Sequence, residues 1–368
     1  MRSCRSRRVS RTAAKFGLIV FMARSLAASN LRALRDVNSA RVAARGPPGV
    51  SPVRHRYTSR PFERAAPAAT PTALRVTASP DRPALIDFDF REAALPWRSG
   101  CVWLSGARRE AWLADEADAL AVIGLHRDIG ANGAQNDVAA ATEALYRELL
   151  AQARPSAHPY LIRIWNFLGA INEGEGDAER YRRFCVGRNA AVDAMFRDPP
   201  PAATAIGAPD ANAPLSVVAL CSAQPAIALE NPRQTPAWQY PREYGPVPPG
   251  FSRGAVLRGE AGSPLLLASG TASIVGHVSQ HAGDVVAQLD ESLVNLQVLL
   301  EEGERRSGVR FALDDLQALR VYLRDPATLE AVRARLDAQG LPLDRIAFLH
   351  GDVCRVELDV ELEGVFGV

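Results

Sequence analysis

Lysine and histidine are scarce in this sequence. Lys15 is the only lysine, so every other basic side chain that is permanently charged is an arginine. Such a bias reflects a GC-rich genome more often than a chemical requirement, and it assigns no function. Of the six histidines, His277 and His281 are four residues apart, but no HExxH motif surrounds them. The pair therefore does not indicate a zinc peptidase.

Cysteine is also sparse, and its spacing excludes two kinds of site. The five cysteines are Cys4, Cys101, Cys185, Cys221 and Cys354, and no two of them form a CxxC pair. This spacing argues against a disulfide framework and against a structural zinc site. It is typical of a protein from a reducing compartment.

Long apolar runs are lacking as well. The candidate run Phe16–Ala23 holds eight apolar or small residues, too few to span a bilayer, and no other segment is a transmembrane candidate. A basic segment precedes this run and ARSLAAS follows it, which resembles a secretory leader. The alternative, which we favour, is a coding start placed too far upstream, with Met22 or a later codon as the true start.

Charge is distributed unevenly along the chain. Residues 1–80 hold 16 basic and two acidic residues, whereas the remainder holds 27 basic and 39 acidic residues. We expect residues 1–80 to be a disordered, Arg-rich extension. The mildly acidic remainder gives no indication of a nucleic-acid partner. With 368 residues and 47% apolar content, the chain is long enough for two ordinary domains.

Hydrophobic periodicity outlines the secondary structure. LIDFDF near residue 85 predicts a first strand, residues 197–214 (RDPPPAATAIGAPDANAP) predict a long surface loop, and LSVVALCS after it predicts a buried strand. SPLLLASGTASIVG predicts a strand that runs into a turn. Asp284–Gly303 has apolar residues at helical spacing, with Asp284 as N-cap and Gly303 as the stop.

The C-terminal segments continue this alternation. Leu316–Asp325 predicts a strand, Pro326–Gly340 a helix with proline in its first turn, and strands follow to the end. This order of elements indicates an α+β fold with helices packed on one face of a mixed sheet.

The stretch FLHGDVCRVELDVELEG, Phe348–Gly364, raises a specific question. Written as one strand, it alternates apolar residues with Glu357, Asp359, Glu361 and Glu363, which predicts a half-buried strand with a solvated acidic face. A thiol, Cys354, stands among the apolar positions.

Four ordered blocks resemble the chorismatase family, which is related to the RidA/YjgF fold. They are RIWNFLGAINEGEGDAERYRRFCVGRN (Arg163–Asn189), NPRQTPAWQYPREYGPVPPGFSR (Asn231–Arg253), SGTASIVGH (Ser269–His277), and YLRDP with GDVCRVELDVELEG. The resemblance covers roughly residues 85–368. It implies two RidA/YjgF-like α/β units: a divergent N-terminal domain at residues 81–230 and a catalytic C-terminal domain at residues 231–368.

The resemblance also implies an activity. Family members cleave the enolpyruvyl ether of chorismate and release pyruvate, without a metal or organic cofactor. Cleavage begins with protonation of the terminal methylene, for which a partly desolvated carboxylic acid is an appropriate donor. The position that matches the family's catalytic acid is Glu361. A cytosolic substrate such as chorismate implies a cytoplasmic protein with no membrane partner, acting as a monomer or a small homo-oligomer.

Two carboxylates on chorismate call for arginine, which pairs with a carboxylate through two hydrogen bonds. Arg163, Arg253 and Arg324 stand in the matching blocks, and we expect them to bind substrate, the alternative being ordinary ion pairs. Tyr240 and Tyr244 add hydroxyl donors or fill the wall of the cleft.

The residue seven positions before the catalytic acid differs between product types in the family, and cysteine there accompanies hydroxybenzoate formation. The position that matches Gly270 varies between Gly and Ala. Cys354 with Gly270 therefore resembles the 3-hydroxybenzoate type, although a buried cysteine also serves as a small apolar side chain. A straight strand would put Cys354 and Glu361 about 23 Å apart on opposite faces. We therefore expect a bulge or turn between them, at Val356–Asp359, with one of the four acids pointing inward.

Three other functions remain open. The same family includes enzymes that make a mixture of 3- and 4-hydroxybenzoate or a dihydrodiol carboxylate. A RidA-type imine deaminase would share the fold but not the extra half of this chain. A non-catalytic metabolite-binding protein would keep the cleft without turnover.

Overall fold

Two β-sheets organise the part of the chain that the computed structural model describes, residues 85–88, 97–106, 120–129, 137–258 and 264–367. The expected leader and extension lie outside these residues. The strands in chain order are β1 (Leu85–Phe88), β2 (Trp97–Gly106), β3 (Leu120–Arg127), β4 (Tyr160–Gly169), β5 (Ala202–Ala208), β6 (Leu215–Ser222), β7 (Ile227–Leu229), β8 (Gly254–Leu257), β9 (Leu265–Ala268), β10 (Thr271–Ala272), β11 (Ile274–Val275), β12 (Val278–Ser279), β13 (Leu316–Leu323), β14 (Ile346–His350), β15 (Asp352–Val353) and β16 (Val360–Gly367). The α-helices are α1 (Val138–Ala153), α2 (Arg180–Ala191), α3 (Ala194–Arg197), α4 (Val285–Ser307) and α5 (Leu329–Ala338).

Strand pairing within both sheets is mostly antiparallel. The larger sheet runs β1-β2-β14-β13-β16-β9-β8-β7, with β10 also paired to β16, and its one parallel pair among these strands is β13 with β14. The smaller sheet runs β15-β5-β4-β6-β3, with β4 parallel to β5. A short hairpin, β11–β12, stands apart from both. Each sheet is therefore mixed, as expected.

The two sheets pack face to face, and helices cover their outer faces. Side chains from both sheets, including Trp165, Phe167, Tyr322 and Val365, share one buried cluster between the sheets. Helices α4 and α5 pack on the outer face of the larger sheet, and α1 and α2 pack on that of the smaller sheet. This layered arrangement confirms the α+β fold class, because each sheet buries both faces.

Helix α4 begins as expected but ends four residues later. The Asp284 side chain accepts a hydrogen bond from the Ala287 N–H, which confirms it as N-cap. Gly303 does not end the helix: the chain continues to Ser307, and Gly308, in the left-handed region at φ 76°, forms the C-cap. Gly303 instead makes room for packing, since a Cβ built there would lie 2.4 Å from the Leu266 Cδ1 atom.

Replacing Gly303 with alanine is expected to lower the free energy of unfolding by about 1–3 kcal/mol. The added methyl group overpacks a filled core, and this destabilises the protein more than the higher helix propensity of alanine stabilises it. Urea unfolding of Gly303→Ala measures the change. Glu304→Ala, at the exposed neighbouring position of the same helix, is the control. A more stable Gly303→Ala variant would mean that Leu266 relaxes freely and that packing does not explain this glycine.

The expected loop at residues 197–214 is wrong. It contains β5, which pairs with β4 on one side and with β15 on the other and is buried along most of its length. The prolines that suggested a loop flank the strand, three before it at residues 199–201 and two after it at residues 209 and 214, and the strand itself is built mainly from Ala, Thr and Ile. A strand that is covered on both faces is usually a run of Val, Ile and Leu, and the small side chains of β5 therefore concealed it.

The sheets do not divide at residue 230, the domain boundary that the sequence predicts. Strands β1 and β2, from residues 85–106, belong to the sheet that the C-terminal strands otherwise form. In return, β15 (Asp352–Val353) pairs with β5 of the smaller sheet. The two predicted domains therefore exchange strands, and their boundary stays a prediction.

The C-terminal stretch is not one strand. β15 ends at Val353, a turn follows in which the Leu358 N–H bonds the Arg355 carbonyl, and β16 starts at Val360. The expected interruption is therefore present, although it begins two residues earlier than Val356. The predicted number of inward acids is wrong, since Glu361 and Glu363 both point between the sheets and each is 4% exposed. The acidic face of this strand is buried rather than solvated.

Candidate active site

A cleft of about 820 Å³, including the space at its mouth that is open to solvent, lies beside β16. Residues from both halves of the chain line it: Asn166, Glu179, Tyr181, Arg182, Arg188, Ala203, Thr204, Ala205, Tyr240, Tyr244, Pro249, Phe251, Arg253, Gly270, Ala272, Ile274, Cys354, Arg355, Leu358 and Glu361. Six residues predicted from the sequence are therefore brought together. They are Tyr240, Tyr244, Arg253, Gly270, Cys354 and Glu361.

Glu361 is the carboxyl group of this cleft. It lies on β16, opposite Ala272 of β10 and Tyr322 of β13. Burial raises the pKa of Glu361 to about 8, repulsion from Glu363 adds to this, and Arg163 and Arg253 oppose it. Glu361 is therefore predominantly protonated at neutral pH and able to act as an acid.

Glu363, two residues further along the same face, has the opposite protonation state. Its Oε1 atom accepts hydrogen bonds from Arg320 Nη1 at 2.6 Å, from the Tyr322 hydroxyl at 2.9 Å and from Trp165 Nε1 at 3.1 Å. Its Oε2 atom accepts from Arg163 Nη2 at 2.7 Å, and from Thr204. Burial alone would raise the pKa of Glu363, but Arg320, Arg163 and these hydrogen bonds lower it.

Gly270 sets the space available to the Glu361 carboxyl. A Cβ built on Gly270 would lie 1.9 Å from Glu361 Oε1, so any larger residue here displaces that atom. The Gly270 N–H donates to Thr204 Oγ1 at 2.9 Å, and the Thr204 hydroxyl donates to Glu363 Oε2 at 2.6 Å. The position of Gly270 is thus linked to Glu363 by two hydrogen bonds through Thr204.

Three arginines of the cleft have unused hydrogen-bond donors. Arg188 Nη2, Arg253 Nε and Arg355 Nη2 are buried nitrogen atoms without a hydrogen-bond partner. An unpaired buried donor is costly, so such groups indicate a site for an anionic ligand. Together they provide positive charge on several sides of the cleft.

Aromatic rings hold two of these guanidinium groups. Arg253 Nη2 donates to the Tyr240 hydroxyl at 2.7 Å, and Arg355 stacks 4.1 Å from the ring centre of Tyr244. Arg355 Nη1 also donates to the His277 carbonyl at 2.9 Å. The two tyrosines therefore orient arginines in addition to forming the wall.

Cys354 lies in the turn before β16 and faces the same cleft as Glu361. Burial raises the pKa of the Cys354 thiol, and repulsion from Glu361 raises it further. The thiol is therefore neutral, a weak proton donor and acceptor rather than a nucleophile. Tyr181 of α2 lines the cleft nearby, and burial likewise raises the pKa of its hydroxyl.

Arg163, predicted to bind substrate, lies behind the wall of the cleft. The pairing of β4 with β6 skips Ile162, and this bulge turns Arg163 toward the layer between the sheets. There it is 2% exposed and bonds Glu363, Thr204 and the Ile164 carbonyl. Arg163 is therefore outside the lining of the cleft and is bonded to Glu363 and Thr204, and its predicted contact with substrate stays a prediction.

Arg324 is also outside the lining, for a different reason. Its guanidinium donates to the carbonyls of Leu358, Val353 and Arg355 and to the side chains of Asp352 and Asn172, at 2.9–3.1 Å. These bonds hold the turn that carries Cys354 and Arg355. Its predicted contact with substrate stays a prediction, and the contacts that the structure shows are structural.

Sequence reasoning missed four residues of this arrangement: Thr204, Glu363, Arg188 and Arg355. Arg188, Arg355 and Glu363 lay inside the recognised blocks, but a sequence with so many arginines does not reveal which of them point inward. Thr204 belongs to the segment that was interpreted as a loop. Burial together with unpaired donors is a property of the fold and has no local signature.

Among the helices that the structure describes, none is long and apolar enough to cross a membrane. Within the described part of the chain, no group of three or more His, Cys, Asp or Glu side chains is arranged to hold a metal ion.

Comparison with known proteins agrees with this geometry. Residues 97–221 match the family model described as chorismatase FkbO/Hyg5-like, N-terminal. The chain is 41% identical over 235 residues to a chorismatase from Streptomyces rapamycinicus, covering 62% of this chain and 70% of that protein. It is 35% identical over 234 residues to a 3-hydroxybenzoate synthase from Streptomyces hygroscopicus, covering 61% and 68%.

A solved structure gives the same assignment. The crystal structure of a chorismatase is 34% identical to this chain and superimposes with a TM-score of 0.60, over 73% of this chain and 77% of that one. Sequence blocks, family model, relatives and fold agree, and the chain belongs to the chorismatase family.

Proposed function

We propose that this protein cleaves chorismate to pyruvate and 3-hydroxybenzoate. The observation that carries the proposal is Glu361, a buried carboxylic acid with a pKa of about 8 on the wall of an arginine-lined cleft. Protonating the methylene carbon of an enol ether needs a donor that is desolvated and still protonated at neutral pH. Glu361 meets both conditions.

The substrate is held by its two carboxylates. Arg188, Arg253 and Arg355 each offer a buried donor without a partner, and a dicarboxylate would satisfy them. Tyr240 and Tyr244 keep two of these guanidinium groups in place. This arrangement fixes the methylene carbon against Glu361, so that binding energy is used for orientation.

The reaction then follows from the residues of the cleft. Glu361 donates its proton to the methylene carbon, and the enol ether becomes an oxocarbenium ion. The neighbouring ring hydroxyl attacks the ring carbon, the ring carbon–oxygen bond breaks, and pyruvate leaves. The hydroxyl proton returns to Glu361, while the arene oxide left behind opens and aromatises to 3-hydroxybenzoate. Cys354, a neutral thiol facing the same space, moves a proton where a water molecule would instead hydrolyse the intermediate.

Replacing Cys354 with alanine is expected to divert product toward the dihydrodiol carboxylate while pyruvate release continues. Alanine removes the thiol and opens space for water beside the reacting ring. Chromatography of the aromatic and dihydrodiol products against total pyruvate measures the split. Cys221→Ala, which removes a buried thiol outside the cleft lining, is the matched control. An unchanged product ratio in Cys354→Ala would show that Cys354 only packs against its neighbours and does not move a proton.

The test of the activity itself is incubation of the purified protein with chorismate. Pyruvate and 3-hydroxybenzoate in equal amounts are expected. Pyruvate with a mixture of hydroxybenzoates, or with the dihydrodiol, would retain the family and change the product. No pyruvate at all would favour a metabolite-binding protein, which calorimetry with chorismate would then detect.

One further alternative is separated by the same assay. A RidA-type imine deaminase would release ammonia from an imine and no pyruvate from chorismate. We favour the chorismatase because Glu361 and the three arginines suit an enol ether dicarboxylate. We also propose a cytoplasmic enzyme, a monomer or small homo-oligomer, that needs no metal or organic cofactor for this reaction.

A further inference from the structure

The two inward glutamates of β16 sit in unlike surroundings. Glu361 and Glu363 are two residues apart on one strand, so their Cα atoms are separated by about 6.6 Å and their side chains share a face. Glu363 accepts hydrogen bonds from Arg163, Arg320, Trp165, Tyr322 and Thr204. Glu361 has the open cleft on its other side.

The charges of this buried cluster do not cancel without a further anion. Arg163 and Arg320 bring two positive charges, and the Glu363 carboxylate brings one negative charge, all at 5% exposure or less. Both guanidinium groups also lie over the indole of Trp165, at 4.7 and 5.6 Å. Without Glu363, two buried cations would remain, and the nearest carboxyl able to compensate them is Glu361.

Two hydrogen bonds and one close steric contact also link the positions of the two carboxyl groups. Glu363 holds the Thr204 hydroxyl, Thr204 accepts the Gly270 N–H, and Gly270 lies against Glu361 Oε1. A substitution of Glu363 would therefore alter the position of the Glu361 carboxyl as well as the charge around it.

We propose that Glu363 is a positioning residue of the reaction, which keeps Glu361 in its acid form by neutralising Arg163 and Arg320 and by holding Gly270 through Thr204. This inference rests on the proposed function of Glu361 as the proton donor. Glu363 does not line the cleft, and its role is to decide which of the two carboxyl groups keeps the proton. The opposite pKa directions of Glu361 and Glu363 agree with it.

The other groups that face Glu361 come from several elements. Arg163 approaches from β4, Arg253 from the segment before β8, Cys354 from the turn before β16, and Tyr181 from α2. Cys354 and Tyr181 stay neutral, because burial raises the pKa of each. Glu363, Arg163 and Arg253 are therefore the charges whose removal should move the titration of Glu361.

The test compares three variants: Glu363→Gln, Arg163→Gln and the double variant. Glu361 must be protonated to act, so the rate falls as pH rises through its pKa. Glu363→Gln removes a nearby anion and should lower the pKa of Glu361. The alkaline limb of the pH–rate profile should therefore move to lower pH by about 1–3 units. Arg163→Gln removes a nearby cation, and the limb should move to higher pH. The double variant keeps the net charge of the cluster, and its limb should lie close to that of the wild type.

An infrared titration provides the second readout. The carboxylic acid band that is lost in Glu361→Gln reports the protonation of Glu361 directly, whether or not chorismate is turned over. Opposite shifts in the two single variants support the proposal, even if the wild type releases no pyruvate and the proposed function fails. Lower rates without any shift would assign Glu363 a purely structural role and overturn it. If Glu363→Gln does not fold, the Arg163→Gln shift and the double variant decide.

Discussion

Replacing Glu361 with glutamine is expected to reduce pyruvate release from chorismate by about 10²–10⁴-fold, the usual contribution of a positioned general acid. Glutamine keeps the shape of the side chain and cannot donate a carboxyl proton. Coupled detection of pyruvate measures the rate. Because the substitution removes a carboxyl that is already neutral at pH 7, stability should change little, and loss of rate would not be a folding effect.

The control for this variant is Glu304→Gln, an exposed glutamate on α4 whose replacement should leave the rate unchanged. The pH profile of the wild type provides a second check. The rate should be sustained below pH 8 and fall about tenfold per unit above it, since Glu361 has a pKa of about 8. A Glu361→Gln enzyme with near wild-type turnover would show that another group protonates the substrate.

Replacing Gly270 with alanine is expected to slow pyruvate release by about 10–10²-fold, with a shift of product toward the dihydrodiol. The added Cβ would lie 1.9 Å from Glu361 Oε1. The carboxyl is the free end of a flexible side chain, so it moves aside and the fold is retained. A displacement of about 1 Å at a proton donor is enough for such a loss. Steady-state kinetics with product chromatography measures both effects.

Gly250→Ala is the matched control, because a Cβ at Gly250 meets nothing within 4 Å although its neighbour Pro249 lines the same cleft. It should leave rate and products unchanged. A Gly270→Ala enzyme with wild-type rate would mean that Glu361 donates its proton equally well from the displaced position. Retained thermal stability in Gly270→Ala would confirm that the loss is local.

The site uses one carboxyl pair for two purposes. Five donors stabilise the charge of Glu363, whereas burial beside that charge keeps Glu361 protonated. Environments that separate the pKa values of neighbouring carboxyl groups are a recurring means of assigning acid and base roles. Here the separation follows from two residues on one strand, one of which reaches Arg163 and Arg320 while the other reaches the cleft.

Much of this arrangement was accessible from the sequence. The N-cap Asp284, the strand and helix at residues 316–340 and the buried strand at residues 215–222 have local patterns that the structure retains. The four ordered sequence blocks identified the family, and Glu361 and Cys354 are the residues that match its functional positions. The need for a turn between those two followed from the length of a straight strand, because about 23 Å would have separated them.

Local patterns failed where distant segments supply the environment. The proline- and alanine-rich composition of residues 197–214 suggested a loop, yet β4 and β15 pair with the strand inside this segment. Gly303 resembled a helix stop, but contact with Leu266 explains it.

The sequence by itself determined the fold class, the family and the candidate for the proton donor, because residue types and their order along the chain carry that information. Only the tertiary structure decided which arginines face the cleft, which lie behind its wall, and which glutamate stays protonated. Arg163 and Arg188 are alike as residues, but one is engaged by Glu363 and the other has an unpaired donor. Burial, pairing and pKa depend on neighbours from distant parts of the chain, and folding alone brings them together.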